Sequence, residues 1–278
     1  MKKIIYFIYD KIFLFLEKYF QIHITRSNYY SPLVASKDLN DLVYEKEYEI
    51  KNLNFDVYKQ INIIQKFKDN FFNDFLPIQN DGLSLVDTFV LYSFIRDTKP
   101  KKVVEIGYGA STGIILKGIK DDKLETDFYS IDPYPKKNQY NYSNKVKLIE
   151  KKVQDVSLEF FKDVDFLFID SSHISKPGSD VNYEIFEILP ILKKNTIIHW
   201  HDIFLPYNYP KFYLQNKNHN MYWNESYLVF TFLLYNLNFE ILYAGNYLKN
   251  NYFNKLKKLY PYLSKQHMLS SFYIKKII

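Results

Sequence analysis

Residues 164–181 read VDFLFIDSSHISKPGSDV. Apart from Asp165, the stretch is apolar up to Ile169, and its Val, Phe and Ile suit a pleated backbone. An apolar run of this length without polar alternation predicts a strand covered on both faces, as in a parallel sheet flanked by helices. It stops abruptly on Asp170, Ser171, Ser172 and His173. Charge at a strand tip is costly unless it meets a partner or a ligand, so this end is expected to face a binding crevice.

The same rhythm extends in both directions. Strands are predicted at Lys102–Ile106, Asp127–Ile131, Val146–Ile149, Asp165–Ile169 and Thr196–His199, with helices beginning near Thr112, Ser157 and Ser179. Helical spacing also runs from Val57 to Phe75, from Ser84 to Arg96 and from Glu225 to Tyr235. Two further strands, Phe239–Tyr243 and Ser271–Lys275, flank a Lys- and Tyr-rich helical insert and are expected to pair at one sheet edge. Strands alternating with helices predict an α/β fold with a doubly wound, mostly parallel sheet. The expected division is an N-terminal helical extension over 1–80, with an amphipathic first helix, and the sheet domain over 81–278.

Composition narrows the classes. The chain has 278 residues, of which 47% are hydrophobic, enough for a core without covalent staples. It has no cysteine, which excludes disulfides and cysteine-based metal or redox sites and suits a cytoplasmic protein. The net charge of +6 comes almost wholly from lysine, because Arg26 and Arg96 are the only arginines. Arginine is the usual tool for phosphate and base recognition, so nucleic acid is not an expected partner.

The amino end, MKKIIYFIYDKIFLFLEKYF, is cut by Asp10 and Lys11 and lacks a small-residue cleavage site. Neither a secretory signal nor a spanning helix is expected. On a helix, Lys3, Asp10 and Glu17 form one narrow polar stripe beside Lys11 and Lys18. The wide apolar remainder over residues 3–20 suits packing on the body, a second subunit or the face of a membrane.

The polar residues at or just beyond the predicted strand ends are Glu105, Asp132, Gln154 with Asp155, Asp170 with His173, and His199 with His201 and Asp202. In open α/β sheets ligands bind beyond the carboxyl ends of the strands, so these residues are expected on one rim. The first strand turns into VVEIGYGASTG, residues 103–113, where Gly107 and Gly109 allow a tight turn and close approach to a ligand. Thr112 stands where a dinucleotide loop has its third glycine, and Glu105 would repel a pyrophosphate. A cationic sulfonium nucleoside tolerates that acid, so the loop favours S-adenosylmethionine over NAD. Ser111 completes the loop's expected cofactor contacts. Asp132 is placed to accept from both ribose hydroxyls, and Gln154 and Asp155 to meet the adenine.

The stretches IHITRSNYYSPL, VVEIGYGAST, SIDPYP, LFIDSSHISKPGSDVNYEIFEILPIL, HWHDIFLPYNYP and WNESYLVFTFL carry a resemblance over residues 21–247. There the chain resembles the class I S-adenosylmethionine-dependent methyltransferases, in the subgroup of macrocin O-methyltransferase-like and cephalosporin hydroxylase-like proteins. The resemblance implies a seven-stranded Rossmann-like sheet whose last strand is antiparallel. It also implies O-methylation of a hydroxyl on a sugar, a glycan precursor or a related small metabolite, as in bacterial polysaccharide biosynthesis. Some members bind magnesium through an acid after the fourth strand and an acidic pair after the fifth. Asp170 and Asp202 match that pattern, while His201 stands where the members have glutamate. The lysine-rich segment after Tyr247 matches nothing in the family.

Methylating an alcohol requires removal of its proton, so a base or a metal is needed beside the sulfonium. His173 and His201 are the candidate bases, with Asp170 as their partner. Phe204, Tyr207 and Tyr209, with Tyr29 and Tyr30, are expected to wall the acceptor pocket. No Asn/Asp-Pro-Pro-aromatic run comes after the fourth strand, which speaks against base methylation. A second copy of the chain, giving a homo-oligomer, is among the expected partners, and a non-catalytic binding or scaffold protein that keeps the fold and an NAD-linked oxidoreductase remain the alternative functions.

Overall fold

The computed structural model describes residues 2–44, 46–50, 52–75, 82–142, 145–214 and 221–278. The chain forms two compact units, residues 1–43 and 44–278. The boundary expected at residue 80 lies outside the described residues. Helix Val57–Phe71, expected to form part of the N-terminal extension, belongs by its contacts to the larger unit, where it packs on helix Leu85–Thr98 and on a strand near the C-terminus.

The larger unit is built on seven strands: β1 (Lys102–Ile106), β2 (Asp127–Ile131), β3 (Lys147–Ile149), β4 (Phe166–Ile169), β5 (Ile197–Trp200), β6 (Phe239–Ala244) and β7 (Phe272–Lys276). Their order across the sheet is β3-β2-β1-β4-β5-β7-β6. The first five are parallel, and β7 runs antiparallel between β5 and β6. This is the doubly wound, mostly parallel Rossmann-like sheet expected from the sequence, with β7 antiparallel.

Alternate residues of each strand feed opposite cores. Val103, Phe166, Phe168 and Tyr273 join Ile64, Phe67, Phe89 and Ile114 on one face. Val104, Leu167, Ile169 and Trp200 join Ile185, Ile188 and Val229 on the other. Burial on both faces is why these strands read as continuous apolar runs. Ser84 caps helix Leu85–Thr98 by accepting from the Asp87 backbone N–H. That helix is covered nearly all round, which explains its weak amphipathic signature. The lysine-rich segment after Tyr247 forms helix Gly245–Leu259, and its Leu248, Leu256 and Leu259 are core residues.

The first unit carries helix Lys2–Phe20. Tyr9, Ile12, Leu14, Phe15, Tyr19 and Phe20 on it are exposed, and Asp10 pairs with Arg26 at 2.6 Å. No helix among the described residues is long and apolar enough to cross a membrane.

Phe168 is fully buried between the two central neighbours of β4 and meets the ring of His199 edge-on at 4.6 Å. Phe168→Ala should therefore destabilise the larger unit by about 3–5 kcal/mol. A fall in the urea midpoint with an unchanged slope would register this loss.

Candidate active site

The strand order reverses between β1 and β4, and a cavity of about 470 Å3 opens there beyond the strand tips. Ile106 and Gly107 after β1, Asp132 after β2, Gln154 after β3 and Asp170 after β4 line it. This is where ligands of doubly wound sheets bind.

Gly107 sits at φ +115°, and a Cβ there would lie 2.8 Å from the carbonyl oxygen of Asp170. Only glycine allows β1 and β4 to close this side of the cavity. The Gly107 N–H donates to the Ile131 carbonyl at 2.9 Å, and Ser130 Oγ donates to the Gly107 carbonyl at 2.5 Å. Asp132 Oδ1 accepts from the Tyr134 N–H at 2.7 Å, which orients the carboxylate at the cavity wall. Gln154 Nε2 donates to the Gly178 carbonyl at 2.9 Å.

Other predicted contacts lie elsewhere. Glu105 is fully buried within β1, where its two oxygens accept from Ser111 Oγ at 2.5 Å and Thr112 Oγ1 at 2.6 Å. Neither Glu105 nor Ser111 lines the cavity; together they brace the loop that turns into helix Ala110–Asp121. The electrostatic selection of a cation expected of Glu105 therefore lacks direct contact. Gly109 caps that helix in an extended conformation, with its N–H donating to Thr112 Oγ1 at 3.1 Å. Asp155 is exposed and off the wall, because the short helix Val153–Asp155 turns it outward while Gln154 faces in. Phe204 and Tyr209 are fully buried packing residues, and Tyr207 is half-buried against Asn251; none lines this cavity. Tyr29 and Tyr30 belong to the first unit and are exposed.

Behind Asp170 lies a cluster of ionisable groups. Asp170 Oδ1 is 3.2 Å from His173 Nε2 and 3.5 Å from His201 Nδ1. Asp202 Oδ2 is 3.4 Å from His201 Nδ1, and its Oδ1 accepts from the Tyr213 hydroxyl at 3.0 Å. His201 Nε2 meets Ser270 Oγ at 3.1 Å. Both predicted bases are thus beside Asp170, but they are nearly enclosed and only Asp170 reaches the cavity. Burial pulls both imidazole pKa values down, yet the surrounding carboxylates outweigh it and hold them well above the ordinary histidine value. Burial likewise opposes ionisation of Asp170, but His201 and His173 override it and hold its carboxyl well below the usual range.

His199 does not join them. Strand β5 ends at Trp200, and His199 is enclosed in the core, stacked on Tyr273 at 3.9 Å with Nε2 on Ser271 Oγ. Burial holds it well below the ordinary histidine value.

Asp170, His173 and Asp202 each bring one donor atom within 4.8 Å of the other two. The expected carboxylate pair is therefore accompanied by an imidazole. Two carboxylates and one imidazole fit a divalent cation, though not the all-oxygen shell magnesium prefers.

Several residues in this network gave no distinctive sequence signal. Asp180 accepts from the backbone N–H and hydroxyl of Ser172 at 3.0 and 2.5 Å. Glu184 is buried at the start of a π-helical turn, Glu184–Ile188, and accepts from Ser171 Oγ at 3.2 Å. Glu225 is buried against His173 at 2.7 Å. An acid opening an otherwise apolar helix, as in WNESYLVF, was the available clue to the last.

Residues 104–203 match the family model of a methyltransferase domain. The matched stretch is 100 of the chain's 278 residues. It contains the turn after β1, Asp132, Gln154, Asp170 and the histidine cluster. An uncharacterized protein of Archaeoglobus fulgidus is 34% identical over 95 residues, which is 31% of this chain. The match spans 42% of that relative's length. Among solved structures, the SAH-bound methyltransferase PaMTH1 of Podospora anserina is similar with TM-score 0.43 and 17% identity, covering 82% of this chain and 92% of that one. The O-methyltransferase of Bacillus cereus in complex with SAH is similar with TM-score 0.42 and 11% identity, covering 82% and 95%. Likeness of that degree carries no argument about chemistry.

Glu105 gives this domain a pH signature. Burial raises its pKa from 4.5 to about 8 against the pull of Ser111 and Thr112. Between those values the unfolded chain releases a proton that the folded chain keeps, so stability falls as pH rises. The loss by pH 8 should be on the order of 3–5 kcal/mol. Glu105→Gln removes this titration, and urea midpoints at pH 5 and pH 8 should then differ less than in the parent.

Proposed function

We propose that this chain is an S-adenosylmethionine-dependent methyltransferase that O-methylates a hydroxyl of a sugar, a glycan precursor or a related small metabolite. The observation that carries the reading is the cavity at the sheet's reversal point, bounded by Gly107, Asp132, Gln154 and Asp170, inside the segment that matches a methyltransferase domain. The glycine turn lets the backbone approach the nucleoside, Asp132 accepts from the ribose hydroxyls, and Gln154 lies along the adenine side. The sugar class rests on the resemblance of the six motifs, not on the cavity.

Methyl transfer is an in-line displacement, so the acceptor oxygen must be aligned with the sulfonium methyl and relieved of its proton. Asp170 is the cluster member at the cavity wall and stays ionised, which suits it to accept the hydroxyl's hydrogen bond and orient the oxygen. His173 and His201, both touching Asp170, are the groups able to take up the proton when they are in the neutral form. A divalent cation held by Asp170 and Asp202 would make a bound hydroxyl more acidic. We place the protein in the cytoplasm, and the exposed apolar residues from Tyr9 to Phe20 support contact of that helix with a membrane surface.

Calorimetric titration tests the cofactor assignment. S-adenosylmethionine should bind and NAD should not, and Asp132→Ala should weaken the former roughly tenfold or more. Unchanged affinity would remove the ribose assignment, and preference for NAD would overturn the reading. Alanine at His201 should slow turnover by roughly 10²-fold or more while cofactor affinity persists. Full turnover in that variant would exclude His201 as proton acceptor.

A further inference from the structure

The segment Trp223-Asn224-Glu225 has no part in methyl transfer as proposed, yet it is fastened to the loop that carries His173. The backbone N–H groups of Asn224 and Glu225 donate to the His173 carbonyl at 3.1 and 3.2 Å. The Ser175 N–H donates to Asn224 Oδ1 at 2.6 Å, and the Trp223 ring lies 4.2 Å from the imidazole. Glu225, fully buried, places Oε2 2.7 Å from His173 Nδ1.

A carboxylate at that distance holds a proton on Nδ1, so Nε2 is the nitrogen turned toward the other acids. It faces Asp170 Oδ1 at 3.2 Å and Asp202 Oδ2 at 3.9 Å. Those carboxylate oxygens require positive charge among them, which a proton on Nε2 supplies and which a cation displacing that proton would supply in its place. Such separations are what donors about 2.0–2.2 Å from one shared cation produce. Two of the three donors are oriented by a partner outside the set, Glu225 for His173 and Tyr213 for Asp202, as metal ligands usually are.

We propose that Asp170 Oδ1, His173 Nε2 and Asp202 Oδ2 hold a first-row divalent transition-metal cation in preference to magnesium, with Glu225 setting the His173 tautomer. The imidazole donor decides the preference, since magnesium demands an oxygen shell. His201 Nδ1 lies 3.5 and 3.4 Å from the same two oxygens, and as an N–H donor it remains the proton carrier of the pair. The inference rests on the methyltransferase reading only for the use made of the cation; the binding itself is independent of turnover.

Manganese is the probe. Chelator-treated full-length chain should take up one Mn2+, seen as loss of the free-ion electron spin resonance signal. Nitrogen-14 modulation in the spin-echo spectrum should reveal a bound imidazole in the native chain. That modulation should survive His201→Gln and disappear in His173→Gln, with affinity reduced roughly tenfold or more. Glu225→Gln should weaken Mn2+ by 10–100-fold, the range for lost outer-shell partners. Magnesium should displace Mn2+ only in large excess. No Mn2+ uptake at millimolar concentration, no nitrogen modulation in the native chain, or modulation that depends on His201 instead of His173 would each overturn the assignment. Failure of the native chain to bind S-adenosylhomocysteine would sink the methyltransferase reading and leave the Mn2+ result standing.

Discussion

Everything at the cavity depends on how closely the turn after β1 approaches the tip of β4. A single methyl group at residue 107 would meet the Asp170 carbonyl oxygen at 2.8 Å. Glycine at positive φ removes that obstacle and lets the two strands part only beyond their ends. The Gly107 N–H and carbonyl are then taken up by Ile131 and Ser130, which pins the turn. With the turn held there, Asp132 and Asp170 line one space.

The cavity and the ionisable cluster are separate layers joined by one residue. Asp170 is open to the cavity on one side and meets both imidazoles on the other. Burying this much charge is tolerable only because the signs alternate: Asp170, His173, Asp202 and His201 face one another, with Glu225 behind His173. Removing one member leaves its neighbours buried with fewer partners of opposite charge. The cluster's geometry is therefore held by mutual satisfaction, and the chemistry of the site is handed to the cavity through one carboxylate.

Sequence reading placed the elements well where periodicity was strong. Strands β1 and β2 lie at their expected residues, and the others differ by a residue or so at their ends. It also found Gly107, Asp132, Gln154 and Asp170, because each comes just after a strand and parallel strands share a rim. It erred where direction matters more than position. Glu105 is one residue short of the strand end, and the pleat turns its side chain away from the cavity onto Ser111 and Thr112. Asp155 is one residue beyond Gln154, and the helical turn sends it to solvent.

The order of apolar and polar residues along the chain was enough to determine a two-sided parallel sheet with charged tips, because covering both faces forces continuous apolar strands and allows polarity only at their ends. Which charges meet was decided by the tertiary structure alone. His199 and His201 are indistinguishable by spacing, but the end of β5 at Trp200 buries one against Tyr273 and delivers the other to Asp170. Glu225 lies 52 residues from His173, and only the docking of its helix on the β4 loop brings the two within hydrogen-bonding distance. Local periodicity carries no record of such pairings, since they arise from the packing of distant segments.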